Sequence, residues 1–454
     1  MTASRTKNKP AAPAAGGGWA GPRSLALFEE EQGYLTPGLQ QIAVFSKLAM
    51  AKGRGAVLTD EDGKEYLDLV AGVCVASVGH GHPVWAKALA DQAAALSVGS
   101  FTTRARVEFG RRLMPRLPKG LDRVQLYSSG AEAVEAAFRL AKSRTGHFEF
   151  AGFWGGFHGK TGGTLPLLGD TSFKQALGPL MPGSYSFPFP NPYRCPFKNE
   201  APHDCAAHCL DFLREGLRRQ TTGSLAALIC EPVQGTAGNV IPPAGWLKGL
   251  KDIAAETGAL LIADEMITGF GRTGRWFGVE HEGVTPDVIT LGKGVAGGFP
   301  VSGVVTSAAV ADSKPFANPS GSSSSYGGNP LAAAACAATL RIIEDERLVE
   351  NSATVGARML ERLDAMKERF PFVGDVRGRG LMIGVELVAD RKTKEPLAKD
   401  LCRGLFEEGL RRGLLTMAYS PVIRINPPLN ITAAQADEAL DRLEACFAWL
   451  APRA

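Results

Sequence analysis

Two side chains that could do chemistry, a carboxylate and an amine, lie where two short apolar runs of the sequence end. Asp264 follows the run Leu260–Ala263, and Lys293 follows a second run that ends at Leu291. Short apolar runs of this kind predict buried parallel strands. Ligands of open α/β sheets bind at the carboxyl ends of the strands, so Asp264 and Lys293 are expected at one site. The glycines around both residues allow a ligand to approach the backbone closely.

This pair of residues suits pyridoxal phosphate (PLP). The cofactor needs a lysine that forms a Schiff base with its aldehyde and a carboxylate that keeps its pyridine nitrogen protonated. Lys293 is the candidate for the first role and Asp264 for the second, because a buried carboxylate that faces a fixed cation stays ionised. Either residue alone would be interpreted as an ordinary strand-end aspartate or an exposed loop lysine.

The same stretch resembles the signature of class III (omega-type) aminotransferases. The resemblance lies in Asp264-Glu265-x4-Phe270-Gly271-Arg272-Thr273-Gly274, followed by Asp287 and Gly292-Lys293. Met266 departs from the small branched residue that the family usually has there. The resemblance spans about residues 24–450. It implies an α/β fold of the fold-type I PLP-dependent transferases, with a large domain around a mostly parallel sheet wrapped by helices and a smaller α+β domain from both chain ends.

The predicted domain organisation follows from this resemblance and from local composition. The Ala-, Pro- and Gly-rich residues 1–23 are predicted to form a disordered tail. The N-terminal part of the small domain covers 24–75, the large PLP-binding domain covers 76–330, and the C-terminal small domain covers 331–454.

A predicted helix start could hold the phosphate of the cofactor. The strand Val124–Tyr127 is followed by Ser129, Gly130 and Ala131, which open a helix whose free N–H groups and positive dipole end favour an anion. A plain serine N-cap is the alternative interpretation. By the resemblance, this turn is the phosphate cup, and Ala131 replaces the hydroxyl residue that the family usually has.

The resemblance assigns further cofactor contacts to residues at other strand ends. Phe157 matches the aromatic residue that stacks on the cofactor ring, and His158 is carried over as a neighbour of the ring. Gln234 matches a contact to the cofactor hydroxyl. Glu231 is counted with the cofactor contacts and also lies on the substrate side, where it can pair with an arginine.

The resemblance also implies substrate contacts and a second subunit. Val73, beside Gly72, lies in a loop that lines the substrate pocket in the family. Arg424 stands in an apolar strand, where a guanidinium needs a partner, and matches the arginine that binds a substrate carboxylate. Ser325 takes the position of a threonine that reaches the phosphate of the neighbouring subunit, which implies a homodimer with the active site at its interface.

Bulk properties exclude several other classes of protein. The chain has 454 residues, of which 45% are hydrophobic and 21% are charged, and its net charge is +4. We see no dense Lys/Arg block, so composition offers no case for nucleic-acid binding. We also see no apolar run that could span a membrane and no signal-peptide core. These features predict a cytoplasmic enzyme without membrane contacts.

Three cysteines form a possible metal cluster. Cys195, Cys205 and Cys209 lie near His203 and His208 in the sequence, and Cys and His are the usual zinc ligands. The spacing is not a paired Cys-x2-Cys arrangement, and free thiols are the alternative. No metal is predicted, and the role of the cluster stays open.

The predicted function is that of a PLP-dependent aminotransferase. It would move an amino group from an amine or amino acid to a keto acid of the 2-oxoglutarate or pyruvate type. A racemase or epimerase of the same family is the alternative, since residues 181–194 and 374–388 resemble that group as much. A dialkylglycine-type decarboxylase ranks lower, because it has a glutamine in the loop of Val73 and lacks Gln234. A non-enzymatic cofactor sensor would need a DNA-binding domain that residues 1–23 cannot form.

Overall fold

The structure is a computed structural model, and it describes residues 18–197 and 204–454. Within these ranges the strands form three sheets. The strands are β1 (Met50–Arg54), β2 (Val57–Asp60), β3 (Glu65–Asp68), β4 (Arg123–Tyr127), β5 (Glu149–Phe153), β6 (Ser184–Phe187), β7 (Leu225–Cys230), β8 (Leu260–Asp264), β9 (Val288–Leu291), β10 (Ser302–Thr306), β11 (Val373–Arg379), β12 (Met382–Asp390), β13 (Glu395–Pro396), β14 (Leu414–Leu415) and β15 (Val422–Ile425).

Helices flank these sheets, and short 3-10 turns lie in the connections. The helices are α1 (Pro22–Gln32), α2 (Gln41–Ser46), α3 (Ala71–Cys74), α4 (Pro83–Ala95), α5 (Arg104–Leu113), α6 (Gly130–Thr145), α7 (Cys205–Gln220), α8 (Trp246–Thr257), α9 (Ala308–Ala311), α10 (Pro330–Asp345), α11 (Leu348–Arg369), α12 (Lys399–Arg411) and α13 (Ala433–Leu450). The 3-10 turns are Met114–Arg116, Leu165–Leu167, Thr171–Phe173, Gly278–His281 and Lys293–Ala296.

The largest sheet has seven strands in the order β4-β10-β9-β8-β7-β5-β6. The strands from β9 to β6 are parallel, while β10 runs antiparallel to β4 and β9. Strands β5, β7, β8 and β9 consist entirely of buried residues, as expected for parallel strands covered on both faces. This mostly parallel α/β sheet confirms the predicted fold class.

Local sequence explains where the helix behind the site begins and ends. The Ser129 hydroxyl accepts a hydrogen bond from the Glu132 N–H at the start of α6, and Gly146 ends the helix in the left-handed conformation. Both are preferred capping residues at these positions. Ala133, Ala137 and Phe138 lie on its buried side. The helix therefore packs on the sheet with its N-terminus at the carboxyl ends of the strands.

Two smaller sheets come from the chain ends. Strands β1, β2 and β3 form an antiparallel group, and the C-terminal strand β14 joins it in parallel with β3. Strands β11, β13 and β15 all pair antiparallel with β12. The pairing of β14 with β3 brings segments from both chain ends into one sheet. The exact domain boundaries at 75 and 330 stay predictions.

The predicted tail of residues 1–23 ends earlier than expected. Trp19 is 8% exposed, and its Nε1 donates to the Ser46 carbonyl oxygen at 2.8 Å. Helix α1 already begins at Pro22. The prediction was therefore wrong for residues 19–23, because the buried indole and its hydrogen bond fix this segment. Residues 1–17 lie outside the described residues.

None of the helices in the described ranges combines the length and the apolar character that a membrane crossing requires.

Candidate active site

A cavity of 210 Å³ opens at the carboxyl ends of β8 and β9. Strand β8 ends at Asp264, and Lys293 begins the 3-10 turn that follows β9. A wider groove of 520 Å³ lies between α4, α5 and α10, but its lining contains no predicted site residue. The smaller cavity is lined by Gly130, Ala131, Phe157, His158, Gly159, Asp264, Met266 and Lys293. Six of these eight are predicted site residues.

Asp264 is held in one orientation by three donors. Its Oδ2 accepts from His158 Nδ1 at 2.7 Å, and its Oδ1 accepts from the Thr290 hydroxyl at 3.1 Å and the Met266 N–H at 3.2 Å. The two side chains of the His158 pair are each 1% exposed. An ionised carboxylate can accept hydrogen bonds but cannot donate them, so Nδ1 of His158 carries the proton of this hydrogen bond. The carboxylate is thus fixed at the inner end of the cavity.

The negative charge of Asp264 also affects the pKa of His158. Burial alone disfavours a charged imidazole, but the hydrogen bond to Asp264 and its negative charge outweigh burial, so the pKa of His158 is raised. Glu231 adds to this effect and Lys293 opposes it. The His158 imidazole therefore supports the position of the Asp264 carboxylate as a hydrogen-bond donor.

Lys293 stands between two glycines that have no room for a side chain. A Cβ at Gly292 would lie 2.5 Å from Met266 Sδ, and a Cβ at Gly294 would lie 2.5 Å from Ser77 Oγ. Lys293 itself has a φ of 40°, which is uncommon for a residue with a side chain. Strained backbone of this kind clusters at functional sites. The local sequence Gly292-Lys293-Gly294 is therefore what allows the lysine to enter the cavity at this point.

The start of α6 contributes backbone donors to the same cavity. Gly130 and Ala131 line it, and the first N–H groups of a helix have no acceptor within the helix. Ser129 caps the helix, and the Ser302 hydroxyl donates to the Ser129 carbonyl oxygen at 2.6 Å. This arrangement presents free N–H groups and the positive end of the helix dipole to a bound anion.

Phe157 forms one wall and is supported by Glu231. The Phe157 N–H donates to Glu231 Oε1 at 2.9 Å, and the Gly235 N–H donates to Oε2 at 2.9 Å. Phe173 packs edge-on against Phe157 at 5.6 Å between ring centroids. The Lys160 ammonium lies 4.7 Å from the centre of the Phe173 ring. The Phe157 ring is thereby held in place while it remains half-buried.

Glu231 and Gln234 lie behind this wall and do not line the cavity. Gln234 is buried, and its Nε2 donates to the Trp154 carbonyl oxygen at 2.9 Å. Burial raises the pKa of Glu231, while His158 and the two backbone N–H groups act in the opposite direction. In this structure both residues therefore contact the backbone of the loop that carries Phe157.

Arg424 has no hydrogen bond or ion pair in the described part of the chain. It lies on β15 between the fully buried Ile423 and Ile425. Burial lowers the pKa of Arg424, while Tyr419, Cys74 and Glu231 favour its charged form. No ion pair joins Arg424 to Glu231, whose carboxylate accepts from the N–H groups of Phe157 and Gly235. Among the described residues, the guanidinium is therefore left without a hydrogen-bond acceptor.

The loop of Val73 contains the four residues given above as α3 (Ala71–Cys74), and their backbone forms a left-handed turn near Lys293 instead of a regular α-helix. Ala71, Gly72, Val73 and Cys74 have φ values of 50°, 60°, 61° and 67°. A β-branched residue such as Val73 is a genuine outlier in this region. The Asp68 carboxylate accepts from the Ala71 N–H at 2.9 Å and holds the turn. A Cβ at Gly294 would also meet the Cys74 carbonyl oxygen at 3.8 Å, so this turn packs beside the lysine loop.

Other parts of the signature serve the fold. Glu265 is fully buried and accepts from the Gly278 N–H at 2.8 Å and the Val279 N–H at 2.9 Å. Burial raises the pKa of Glu265 to about 7, even though these donors and Thr268 lower it. Asp287 pairs with Lys251 at 2.7 Å. These carboxylates fix the loops on both sides of the site and do not line the cavity.

Ser325 lies away from the cavity of its own chain. It is exposed, as is the neighbouring Tyr326, and neither lines the cavity.

The three thiols of the cysteine cluster lie close in space, since burial and contact with the Cys195 and Cys209 thiols raise the pKa of Cys205. Within the described residues, no three His, Cys, Asp or Glu side chains are arranged to hold a metal ion. His203 lies outside the described residues.

The sequence analysis did not single out Thr290, Phe173 or Lys160. Thr290 is the one polar residue of β9, and this exception to an apolar strand is a signal that could have pointed to it. Phe173 comes from a loop connection whose path has no sequence signature. Lys160 follows His158 closely in the chain, and its ammonium lies near the rings of both Phe173 and Phe157.

The residues around the cavity fit PLP. A lysine amine, a fully buried carboxylate, an aromatic face and a helix N-terminus meet in one space. They are the groups that the aldehyde, the pyridine nitrogen, the ring and the phosphate of this cofactor require.

The chain belongs to the class III aminotransferase family. Residues 41–447 match the sequence profile described as "Aminotransferase class-III". An alanine/serine racemase of Pyrococcus horikoshii is 37% identical over 435 residues, covering 93% of this chain and 90% of that protein. A diaminobutyrate--2-oxoglutarate aminotransferase of Rhizobium meliloti is 35% identical over 424 residues, covering 90% of this chain and 89% of that protein.

Solved structures agree with this assignment. A PLP-bound amine transaminase from an uncultivated Pseudomonas species superimposes with a TM-score of 0.86 at 33% identity, covering 92% of this chain and 98% of that chain. An (S)-enantioselective omega-transaminase from Thermomicrobium roseum superimposes with a TM-score of 0.87 at 32% identity, covering 94% of this chain and 98% of that chain. The protein is therefore an aminotransferase that uses PLP and has the fold of the fold-type I enzymes, which confirms the predicted family, fold, activity and cofactor.

Proposed function

We propose that Lys293 and Asp264 carry the amino-group transfer, with Phe157 and the start of α6 holding the cofactor. The observation that carries this proposal is the buried Asp264–His158 pair at 2.7 Å, which lines one cavity together with Lys293. When bound, PLP supplies an aldehyde for covalent attachment and a protonated ring that takes up the electrons released at the substrate carbon.

Each residue has a separate task in this proposal. Lys293 would hold the cofactor through its amine, and the same amine would move a proton at the substrate carbon once a substrate is bound. Asp264 would hold the proton on the ring nitrogen, and the hydrogen bond from His158 Nδ1 keeps the Asp264 carboxylate in its orientation. The free N–H groups of Gly130 and Ala131 would hold the phosphate, and Phe157 would pack against the ring.

The substrate class follows from Arg424. An unpaired, half-buried guanidinium fits a carboxylate, because its planar fork donates two parallel hydrogen bonds. We infer that the acceptor is a keto acid of the pyruvate or 2-oxoglutarate type. The donor amine or amino acid becomes a ketone or aldehyde, and the keto acid becomes an amino acid. Val73 contributes the wall of the left-handed turn to the substrate pocket.

Removing the Arg424 side chain tests this assignment. Arg424→Ala is expected to raise KM for the keto acid roughly 10- to 100-fold, since a hydrogen-bonded charge pair contributes about 1.5–3 kcal/mol. The KM for an amine without a carboxylate should change little, because that donor makes no use of the guanidinium. Steady-state kinetics with both substrates, varied separately, provides the measurement.

The KM for the amine without a carboxylate is the internal control for Arg424→Ala. The variant Arg424→Lys is a second control. Lysine keeps the charge but lacks the fork, so it should recover only part of the keto-acid affinity. Equal losses for the two substrates, or an unchanged KM for the keto acid, would show that Arg424 does not bind the carboxylate.

We also propose a homodimer in which Ser325 reaches the phosphate of the neighbouring subunit. Phe101 is 77% exposed and Tyr326 is 75% exposed, and exposed apolar surface of this kind is typical of an interface. A Cβ at Gly99 would lie 2.7 Å from Asn329 Cα, so the Phe101 segment packs beside the segment of Ser325. The two aromatic rings and Ser325 thus belong to one region of the surface.

Light scattering should find twice the chain mass. Ser325→Ala should weaken PLP binding without changing that mass, because it removes a phosphate contact and no apolar surface. A monomer with full PLP affinity would contradict the proposal. The cytoplasmic location stays a prediction from the sequence.

Racemisation is the second candidate activity. Its support is the 37% identity to an alanine/serine racemase over 93% of this chain, at the same level as the aminotransferase relatives. A racemase needs the same lysine and carboxylate, but returns the proton to the substrate carbon instead of releasing a carbonyl product.

A further inference from the structure

The guanidinium of Arg272 is buried and forms no ion pair with a carboxylate of the described residues. The residue is 1% exposed, and its Nη1 donates to the carbonyl oxygens of Leu381 at 3.1 Å and Pro427 at 2.5 Å. Its Nε and Nη2 are buried and find no hydrogen-bond partner among the described residues. Burial of a charge is costly unless it is paired. The side chain therefore contributes two hydrogen bonds to backbone oxygens, and the negative charge of Asp68 offsets part of the cost of burying the guanidinium.

Those two backbone oxygens lie at the ends of neighbouring strands. Leu381 immediately precedes β12, and Pro427 follows the end of β15. The two strands are antiparallel, with Gly384 on β12 opposite Arg424 on β15. The guanidinium of Arg272 thus joins the strand that carries Arg424 to the strand beside it.

The backbone of Arg272 is fixed to the same region. Its carbonyl oxygen accepts from the Leu381 N–H at 3.0 Å and from the Ser352 hydroxyl at 2.9 Å. Arg272 itself belongs to the loop that follows β8, whose last residue is Asp264. The loop that leaves Asp264 is therefore attached to the sheet of Arg424 through both the backbone and the side chain of Arg272.

The charge of Arg272 acts in the same place. Both Arg272 and Arg424 lie near enough to Cys74 to interact with its thiol electrostatically. Charge–charge effects are stronger in a buried site than in water. The Asp68 carboxylate, which accepts from the Ala71 N–H in the turn of Val73, also favours the charged form of Arg272.

We propose that Arg272 is a positioning residue for the substrate carboxylate, an inference that rests on the carboxylate role proposed for Arg424. By holding the Leu381 and Pro427 carbonyls, Arg272 sets the distance from Arg424 to the Asp264–Lys293 end of the large sheet. That distance decides whether a carboxylate bound at Arg424 brings the reacting carbon to Lys293. Small misplacements of bound groups have large effects on reactivity.

The test uses Arg272→Gln and Arg272→Lys in the PLP-loaded enzyme. Arg272→Gln is expected to raise KM for the keto acid about tenfold or more, because the carboxylate-binding group is displaced. The Kd of propionate, an unreactive carboxylate, should rise equally, measured by its effect on the absorbance of bound PLP. The KM for an amine without a carboxylate should stay within about twofold of its original value. Arg272→Lys should restore part of the carboxylate affinity.

A purely structural role would produce a different pattern. It would weaken the amine and the carboxylate together, and that result, or an unchanged Kd for propionate, would overturn the proposal. If Arg272→Gln does not fold, Ser352→Ala removes the hydroxyl that holds the Arg272 carbonyl, and the same selective loss is expected at smaller size. Ser352→Ala with unchanged carboxylate affinity would then overturn the proposal.

Arg424→Ala, measured in parallel, separates the two proposals. Loss of propionate binding in Arg424→Ala but not in the Arg272 variants would overturn only the role of Arg272. Retained propionate binding in Arg424→Ala would overturn the carboxylate role of Arg424 itself, and the inference about Arg272 with it.

Discussion

Lys293→Ala is expected to lower kcat by about 10⁴-fold, because the proposed proton carrier and covalent attachment point is lost in one step. Lys293 is the one lysine that lines the described cavity. Lys160 lies over the Phe173 and Phe157 rings and is not part of the cavity lining. Among the described residues, no second lysine therefore lines the cavity to take over this role. Steady-state kinetics measures the loss.

Borohydride reduction checks the attachment directly. In the original protein, reduction followed by peptide mass analysis should fix PLP on the peptide that contains Lys293. The matched control is Lys251→Ala, which removes a lysine of the same sheet region that pairs with Asp287. It should keep the activity and the labelled peptide. Label on another lysine, or turnover of Lys293→Ala at the original rate, would refute the assignment.

Asp264→Asn is expected to lower kcat/KM by about 10³-fold, the loss typical of removing a preorganised electrostatic contact in an active site. Asparagine keeps the shape and can still accept from Thr290 and Met266. It lacks the charge that keeps the pyridine nitrogen protonated, so electrons released at the substrate carbon are stabilised less.

A second readout separates this electrostatic effect from damage to the fold. The pKa of His158 is raised because Asp264 outweighs the effect of burial. Without that charge burial dominates, so the pKa of His158 should fall, as measured by its ring signals in NMR. Asp287→Asn serves as the control, since this carboxylate lies at the start of β9 and contacts Lys251. An active Asp264→Asn enzyme, or a His158 pKa that does not move, would contradict the account.

The sequence was sufficient to predict the strand ends of the large sheet. The runs that end at Asp264 and Leu291 are apolar throughout or nearly so, and a strand buried on both faces requires that composition. The start of helix α6 was equally predictable, because Ser129 is a preferred N-cap residue and follows directly after strand β4. These features depend on residues that are neighbours in the sequence, so the sequence alone is enough to predict them.

The contacts made between distant segments could not be predicted. Val73 is β-branched, so nothing in its type suggests a left-handed turn, yet the turn forms where Asp68 accepts from the Ala71 N–H and Gly294 packs beside it. Glu231 was predicted to lie on the substrate side, where it can pair with an arginine, and in this structure its carboxylate accepts from the Phe157 and Gly235 N–H groups. Backbone donors of a folded loop have no signature in the sequence.

Trp19 gives the same lesson at the chain end. Its surroundings are rich in glycine, alanine and proline, which is typical of a disordered tail. One buried indole with a hydrogen bond to Ser46 is enough to fix the segment. Composition averages over the neighbours and misses a single anchoring side chain.

The most direct test of the central claim is a half-reaction with the purified, PLP-loaded enzyme. One amino donor is added without any keto acid, and the absorbance of the bound cofactor and the carbonyl product are followed together. The account predicts complete conversion to the pyridoxamine form, with one equivalent of ketone or aldehyde released per site. A cofactor spectrum that persists while an L-amino acid loses its optical rotation would contradict it in favour of racemisation.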